Sequence, residues 1–255
     1  MSNIHKYIIK TADSLFNMVL VIILCIVGLY CAYSLWDNQQ IYAAAENVQE
    51  DMLKLKPELL EDGGASFEEL LAINPDVCAW VTLDNTEVDY PILQGKDNLD
   101  YINTDVYGNF ALAGSIFLDS RCDREFRSAY SLVYGHYMAN RRMFGDLELY
   151  KDKKFFEENT TGTLLLPDRS YDLKIFACML VDSRDEVIFE PQKWETNAAT
   201  VLNYAEQNAL HINKDLIKKL KQTNNLQILS LSTCSYEYDD ARTIVLAVME
   251  PHNTD

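Results

Sequence analysis

Leu15 to Trp36 (LFNMVLVIILCIVGLYCAYSLW) is an unbroken apolar run of 22 residues without a charge, Asn17 and Ser34 being its main polar interruptions. As a helix rising about 1.5 Å per residue it would be roughly 33 Å long, enough to cross a hydrocarbon core of about 30 Å. A core helix of that length would show a polar face. A cleaved leader would carry its small residues directly after the apolar stretch, and Ala43-Ala44-Ala45 lies well beyond it. The pattern therefore predicts an uncleaved membrane span over 15–36, with Cys25 and Cys31 as apolar filler. Lys6 and Lys10 precede it and no Lys or Arg follows until Lys54, which keeps residues 1–14 in the cytoplasm and carries the remainder across. Tyr33 and Trp36 fall where the outer interface would lie.

Beyond the span the periodicity changes twice. Ile41 to Lys56 is rich in helix formers and stops at Pro57, which predicts a helical stalk within a linker over 37–65 that Glu61-Asp62-Gly63-Gly64 breaks. Ser66-Phe67-Glu68-Glu69 reads as a capping box opening a short helix to about Ile73, with Asn74-Pro75 as its stop. Then come short β-branched and aromatic runs bounded by Gly, Asn, Asp and Pro: Val77–Leu83, Val88–Leu93, Ser115–Leu118, Ser131–Tyr134, Thr163–Leu166, Leu173–Val181, Leu226–Leu231 and Thr243–Met249. Eight such runs suit a closed barrel or a sandwich. Helical stretches are predicted at Phe144–Tyr150, Lys153–Asn159 and, as the longest, Trp194–Leu210. The fold class is mainly β with inserted helices, in one domain over 66–255.

Composition narrows the function. Apolar residues are 48% and charged residues 24% of the 255, an ordinary globular balance. Against 22 Lys and Arg stand 39 Asp and Glu, a net charge of −17 with no basic patch, which argues against binding to nucleic acid. Six cysteines without a CxxC or paired Cys/His spacing argue against a disulfide scaffold or a zinc site, and acidic pairs such as Glu68-Glu69, Glu157-Glu158 and Asp239-Asp240 read as solvated faces rather than metal ligands.

Four cysteines lie outside the span. Cys78 and Cys178 sit inside apolar strand runs as small buried hydrophobes, and Cys122 lies in the polar stretch Ser120-Arg121-Cys122-Asp123, where a disulfide with another of the set stays open. Cys234 closes a strand and starts the polar turn Ser235–Asp240, which leads to Arg242 and the last strand. It is either a nucleophile or a strand-end cysteine. Of the four histidines, His5 precedes the span, His252 is in the C-terminal tail, and His211 reads as a cationic cap on the end of the helix Trp194–Leu210. His136 follows the strand Ser131–Tyr134 after Gly135, as a structural histidine or the partner of a thiol. A Cys/His pair is the minimal apparatus of thiol acyl chemistry: a thiolate attacks and an imidazolium protonates the leaving amine.

Leu231-Ser232-Thr233-Cys234 followed by Arg242, with Tyr134-Gly135-His136 about a hundred residues upstream, resembles the active-site set of sortases. That family has a TLxTC strand, a nearby Arg and a His after a strand; Ser230 stands here at the first motif position. Asn74-Pro75-Asp76 through Trp80, Asp89-Tyr90-Pro91-Ile92, Gln94 to Asn98, Gly114 to Asp119 and Met143 to Leu147 extend the resemblance to class B sortases over about 66–249. The resemblance implies an eight-stranded sortase barrel outside the membrane. It implies a cysteine transpeptidase that cleaves a C-terminal sorting signal of secreted proteins after Thr, holds a thioester and passes it to an amine. Cys234, His136 and Arg242 are then catalytic, and Asn98, Ile102, Tyr134, Ile188, Ser232 and Thr233 line the substrate groove, with no cofactor or metal. The accepting amine is expected on a cell-wall precursor, with a pilin lysine as the alternative. A membrane-tethered cysteine peptidase and a non-catalytic surface binding module are the further alternatives. Two departures bear on the signal recognised: Ser235 follows the cysteine where some class B members have an acid, and Arg242 comes only eight residues after Cys234.

If the span is an uncleaved anchor, full-length protein stays with membranes through carbonate and high-salt washes. A mature chain beginning near Glu46 in the medium would show cleavage instead.

Overall fold

The computed structural model describes residues 3–59, 64–234 and 240–252, with side chains throughout except those of Asn3, Ile4 and Cys234. The sequence-predicted break at Glu61-Asp62-Gly63 and the turn at 235–239 lie outside the described residues. The first element, α1, is one helix from Asn3 to Leu53. Its apolar stretch has a mean hydropathy of 2.6 and no buried residue, so it is long and apolar enough to cross a membrane. Within it the Tyr33 and Trp36 rings lie 6.1 Å apart.

The chain divides into two compact units, Met1–Ala43 and Ala44–Asp255. The second begins well before residue 66, because the end of the stretch read as a stalk is part of its packing. Met52 is 2% exposed and joins Phe67, Leu70, Trp80, Leu93 and Leu165 in a core cluster, with Val48 and Leu55 packed against it. Arg142 pairs with Glu46 and donates to Gln49, and the Gln49 amide donates to the Glu87 carbonyl. A helix whose last turns bury apolar side chains is held by tertiary contacts rather than by propensity.

All eight predicted strands form. They are β1 (Val77–Leu83), β2 (Asp89–Leu93), β3 (Ile116–Leu118), β4 (Tyr130–Tyr134), β5 (Thr161–Leu165), β6 (Ser170–Asp182), β8 (Ile228–Cys234) and β9 (Ala241–Pro251). They pair in the order β5-β1-β2-β3-β4-β8-β9-β6, and β6 returns to β5, so the sheet closes into an eight-stranded barrel. Closure leaves no free edge on the ring. A two-residue strand, β7 (His211–Ile212), pairs with Ala177 and Cys178 in the half of β6 that β5 does not reach. Two neighbouring pairs are parallel, β2 with β3 and β4 with β8.

The helical predictions need correction in three places. The capping box does not form: α2 runs Glu68–Ile73 with Phe67 at its N-cap and no side-chain cap, because Phe67 is buried in the core. The single helix over Trp194–Leu210 is two elements, a 3-10 turn at Pro191–Trp194 and α5 at Ala199–Asn208. Between them the Asn197 side chain accepts from the Ala199 amide, and the Trp194 indole donates to the Val187 carbonyl. His211 is not a helix cap: it lies in β7 opposite Cys178, with Nε2 at 2.7 Å from the Lys151 carbonyl. The stretch Phe144–Tyr150 is a 3-10 helix, Gly145–Lys151, and α3 occupies Lys153–Glu158. Two short helices carried no strong sequence signal: α4 (Glu186–Phe189) and α6 (Lys214–Leu220), capped by Asp185 and Asn213.

Since Met52 belongs to the barrel's core, Met52→Ala is expected to destabilise the full chain by about 2–4 kcal/mol, read as a lowered thermal midpoint in micelles. An unchanged midpoint would make the end of α1 a free stalk after all.

Candidate active site

Register decides what meets at one end of the barrel. β4 and β8 run parallel with Tyr134 beside Ser232, and the Gly135 amide continues the ladder by donating to the Ser232 carbonyl at 3.0 Å. His136 follows Gly135 as the chain leaves β4, two residues past the last paired position. β8 and β9 run antiparallel with Cys234 opposite Arg242. The last residue of β8, the second of β9 and the exit from β4 therefore come together, although 98 residues separate His136 from Cys234.

His136 is half-buried, its Nε2 lies 2.8 Å from the Ile102 carbonyl, and its own carbonyl accepts from the Phe144 amide. Arg242 is half-buried and donates to the Ala241 carbonyl. Cys78 and Cys122 are buried. Burial pushes Cys78 and Cys122 up to about 12, so both remain thiols. Cys122, read from sequence as a loop residue, is buried and accepts from the Leu132 amide, and neither Cys78 nor Cys122 is in a disulfide.

A cleft of about 420 Å³ opens beside these strand ends. Four of the expected site residues line it: Asn98, Ile102, Tyr134 and Arg242. Phe117, Arg121, residues 183–186, Phe189 and Glu190 complete the lining. His136 meets the cleft through Ile102, whose carbonyl its ring contacts. Ile188, Ser232 and Thr233 are not in the lining. Ile188 is fully buried and its carbonyl accepts from the Tyr130 hydroxyl, whereas the next residue, Phe189, stacks on Tyr134 with ring centroids 6.3 Å apart. Ser232 and Thr233 are each 2% exposed, in the strand that carries Cys234.

The residue that organises the wall is Asp119, just past β3, which the sequence reading quoted only as part of a motif. It is fully buried. Its carboxylate accepts from the Asn98 amide at 3.0 Å, from the Tyr134 hydroxyl at 3.0 Å, and from the Arg121 backbone amide, Nε and a terminal guanidinium nitrogen at 2.8–2.9 Å. Arg121 in turn donates to the Phe189 carbonyl and pairs with Glu190 across the cleft wall. Burial alone would raise the Asp119 carboxyl; the hydrogen bonds and charge of Arg121 outweigh it and hold the group below its usual range. Burial and the neighbouring Asp119 push the Tyr134 hydroxyl up, so it stays protonated and donates. A lone Asp after an apolar strand carries no sequence signal that separates it from a turn residue.

A carboxylate whose folded pKa is depressed contributes stability above its unfolded value, near 3.9, and loses it as pH falls through the folded value. Wild-type stability is therefore expected to drop below about pH 4, and Asp119→Asn to flatten that limb while costing about 2–3 kcal/mol at neutral pH. Denaturant melts at pH 3 and pH 7 measure both. An equal cost at the two pH values would assign the loss to shape rather than charge.

No family model matches the sequence. Curated relatives do: the chain is 28% identical over 232 residues to sortase B of Staphylococcus aureus, covering 91% of this chain and 93% of that one. It is 33% identical over 182 residues to sortase B of Listeria monocytogenes, covering 70% and 72%. Among solved structures, a Streptococcus pyogenes class B sortase involved in pilus biogenesis matches with a TM-score of 0.65 at 37% identity, over 72% of this chain and 98% of that one. The Staphylococcus aureus sortase B–substrate complex matches with a TM-score of 0.68 at 28% identity, over 85% and 99%. With a closed eight-stranded barrel, and with similarity across most of both curated relatives, the chain belongs to the class B sortases, a family of cysteine transpeptidases.

Proposed function

We propose that Cys234 is the nucleophile, His136 the general acid and base, and Arg242 the oxyanion partner of a transpeptidase acting on C-terminal sorting signals. The observation that carries this reading is the register that sets Cys234 opposite Arg242 and pairs Tyr134 with Ser232 on parallel strands, two residues before His136 and Cys234 respectively. The thiolate attacks the carbonyl carbon of the signal's Thr. The guanidinium donates to the oxyanion that forms. As the C–N bond breaks, the imidazolium protonates the departing amine and the acyl group remains as a thioester. An incoming amine then attacks, gives its proton to His136 and releases the thiolate. Asn98, Ile102 and Tyr134, which line the cleft, hold the signal peptide; Ile188, Ser232 and Thr233 support the groove from within. The domains divide as 1–14 cytoplasmic, 15–36 spanning, 37–65 linking and 66–255 catalytic, with the end of the linker packed on the barrel. Lys6 and Lys10 before the apolar stretch support a barrel outside the cell membrane, where secreted proteins would meet it.

The acceptor we propose is an amine of the cell-wall precursor, in keeping with the sortase B relatives. A second reading, a lysine on a pilin, is favoured by the 37% identity to the Streptococcus pyogenes class B sortase involved in pilus biogenesis.

Incubation of the membrane-reconstituted chain with a sorting-signal peptide, a short branch-peptide amine and a purified pilin domain separates the two. Branch-peptide adducts are expected; lysine isopeptides alone would move the assignment to pilus assembly. Cys234→Ala is expected to abolish the acyl-enzyme seen by mass spectrometry. His136→Ala and Arg242→Ala are expected to slow transfer by about 10²–10⁴-fold and 10²–10³-fold. Arg242→Lys also fails, because an ammonium lacks the planar fork. Wild-type turnover in His136→Ala would give the proton transfer to another group.

A further inference from the structure

We propose that the backbone carbonyl of Ile102 holds His136 in its Nε2–H tautomer, so that Nδ1 moves the proton, and that Gly114 is the positioning residue that keeps this carbonyl in place. The inference rests on the assignment of His136 as acid and base and adds which nitrogen acts. Nε2 lies 2.8 Å from the Ile102 oxygen. A carbonyl only accepts, so the ring nitrogen facing it must carry the hydrogen. In the neutral ring the lone pair then belongs to Nδ1, and in the imidazolium the mobile proton is the one on Nδ1. When the C–N bond of the tetrahedral adduct breaks, that Nδ1 proton passes to the departing amine nitrogen. When the second amine attacks the thioester, neutral Nδ1 takes a proton from it and the Cys234 sulfur leaves as thiolate. Nε2 keeps its hydrogen throughout.

The carbonyl is held from the other side. Gly114 has φ +60°, and a Cβ there would stand 2.3 Å from the Ile102 oxygen, 2.6 Å from the Tyr101 oxygen and 2.8 Å from the Ile102 carbonyl carbon. All three neighbours are backbone, so none turns aside as a side chain does. Nor is the loop free to slide: the Ser115 amide donates to the Tyr101 carbonyl and the Ser115 hydroxyl to the Thr104 carbonyl. Any side chain at 114 displaces the acceptor that fixes the histidine. The same loop supplies its own control. Gly108 has φ +81° with nothing within 4 Å of its Cβ direction, so Gly108→Ala introduces a left-handed alanine without touching Ile102.

The test is nitrogen NMR of the full chain in micelles with 15N-histidine, the His136 signals identified by their loss in His136→Gln. The wild type and Gly108→Ala are expected to show His136 with a protonated Nε2 and a bare Nδ1 in the neutral form. Gly114→Ala is expected to show a tautomer mixture and transfer slowed by about tenfold to a hundredfold, against less than about twofold for Gly108→Ala. A wild-type His136 protonated on Nδ1 overturns the proposal even if Gly114→Ala does not fold. So does a folded Gly114→Ala whose tautomer is unchanged. If His136→Gln retains full transfer while the Nε2–H tautomer is found, the assignment of His136 as acid and base fails and the geometric part stands.

Discussion

Two parallel strands cannot be joined by a tight turn; the chain must cross over before it lies down in the same direction. The pairing of β4 with β8 imposes that cost at the centre of this barrel, and the crossover consumes residues 135–227, including β5, β6, β7 and six helical segments. What it secures is coincidence of exits. An antiparallel neighbour would return the chain to the opposite end, whereas parallel neighbours release His136 and Cys234 at the same rim. The hairpin partner β9 then enters from that rim with Arg242 as its second residue. Cys234 and Arg242 are thus held opposite each other by a hydrogen-bond ladder rather than by a loop, which is the more rigid way to hold them.

The cleft beside that rim follows a related logic with charge instead of backbone. A carboxylate taken out of water needs donors on every side, and Asp119 finds them in Asn98, Tyr134 and Arg121, which are themselves the wall of the cleft. Their side chains are ordered because Asp119 is buried. Phe189 is then fixed twice, by its ring on Tyr134 and by its carbonyl on Arg121. A cleft wall assembled around one buried anion adapts little in shape.

The strands were legible because apolar runs of a few residues between Gly, Asn, Asp and Pro leave little choice, and Val77–Leu83 forms with the bounds read from sequence. The proposal of Cys234, His136 and Arg242 as catalytic comes from a resemblance spread over many short motifs, and the family it pointed to is the one the relatives show. What escaped had physical reasons. Trp194–Leu210 has helical residues throughout, but tertiary bonds from Trp194 and Asn197 divide it, and the β6 backbone draws the chain into β7 at His211. Ser66 has the right type and spacing for a cap, yet burial of Phe67 outweighs one hydrogen bond. Asp119 was invisible as an organiser because its partners come from positions 98, 121 and 134. Ile188 was read as a groove residue where its neighbour Phe189 faces the cleft, a one-residue offset of the kind a short helix makes easy.

The burial of the barrel's spare sulfur has a consequence for how the protein withstands oxidation. Peroxides and electrophiles select thiols by their thiolate fraction and access. Cys78 and Cys122, enclosed between strands and pushed up to about 12, present almost none of either at physiological pH. They add apolar packing without competing for oxidant or forming mispaired bridges. Oxidants that modify an accessible thiolate therefore leave the packing around these two sulfurs, and the strands that enclose them, intact.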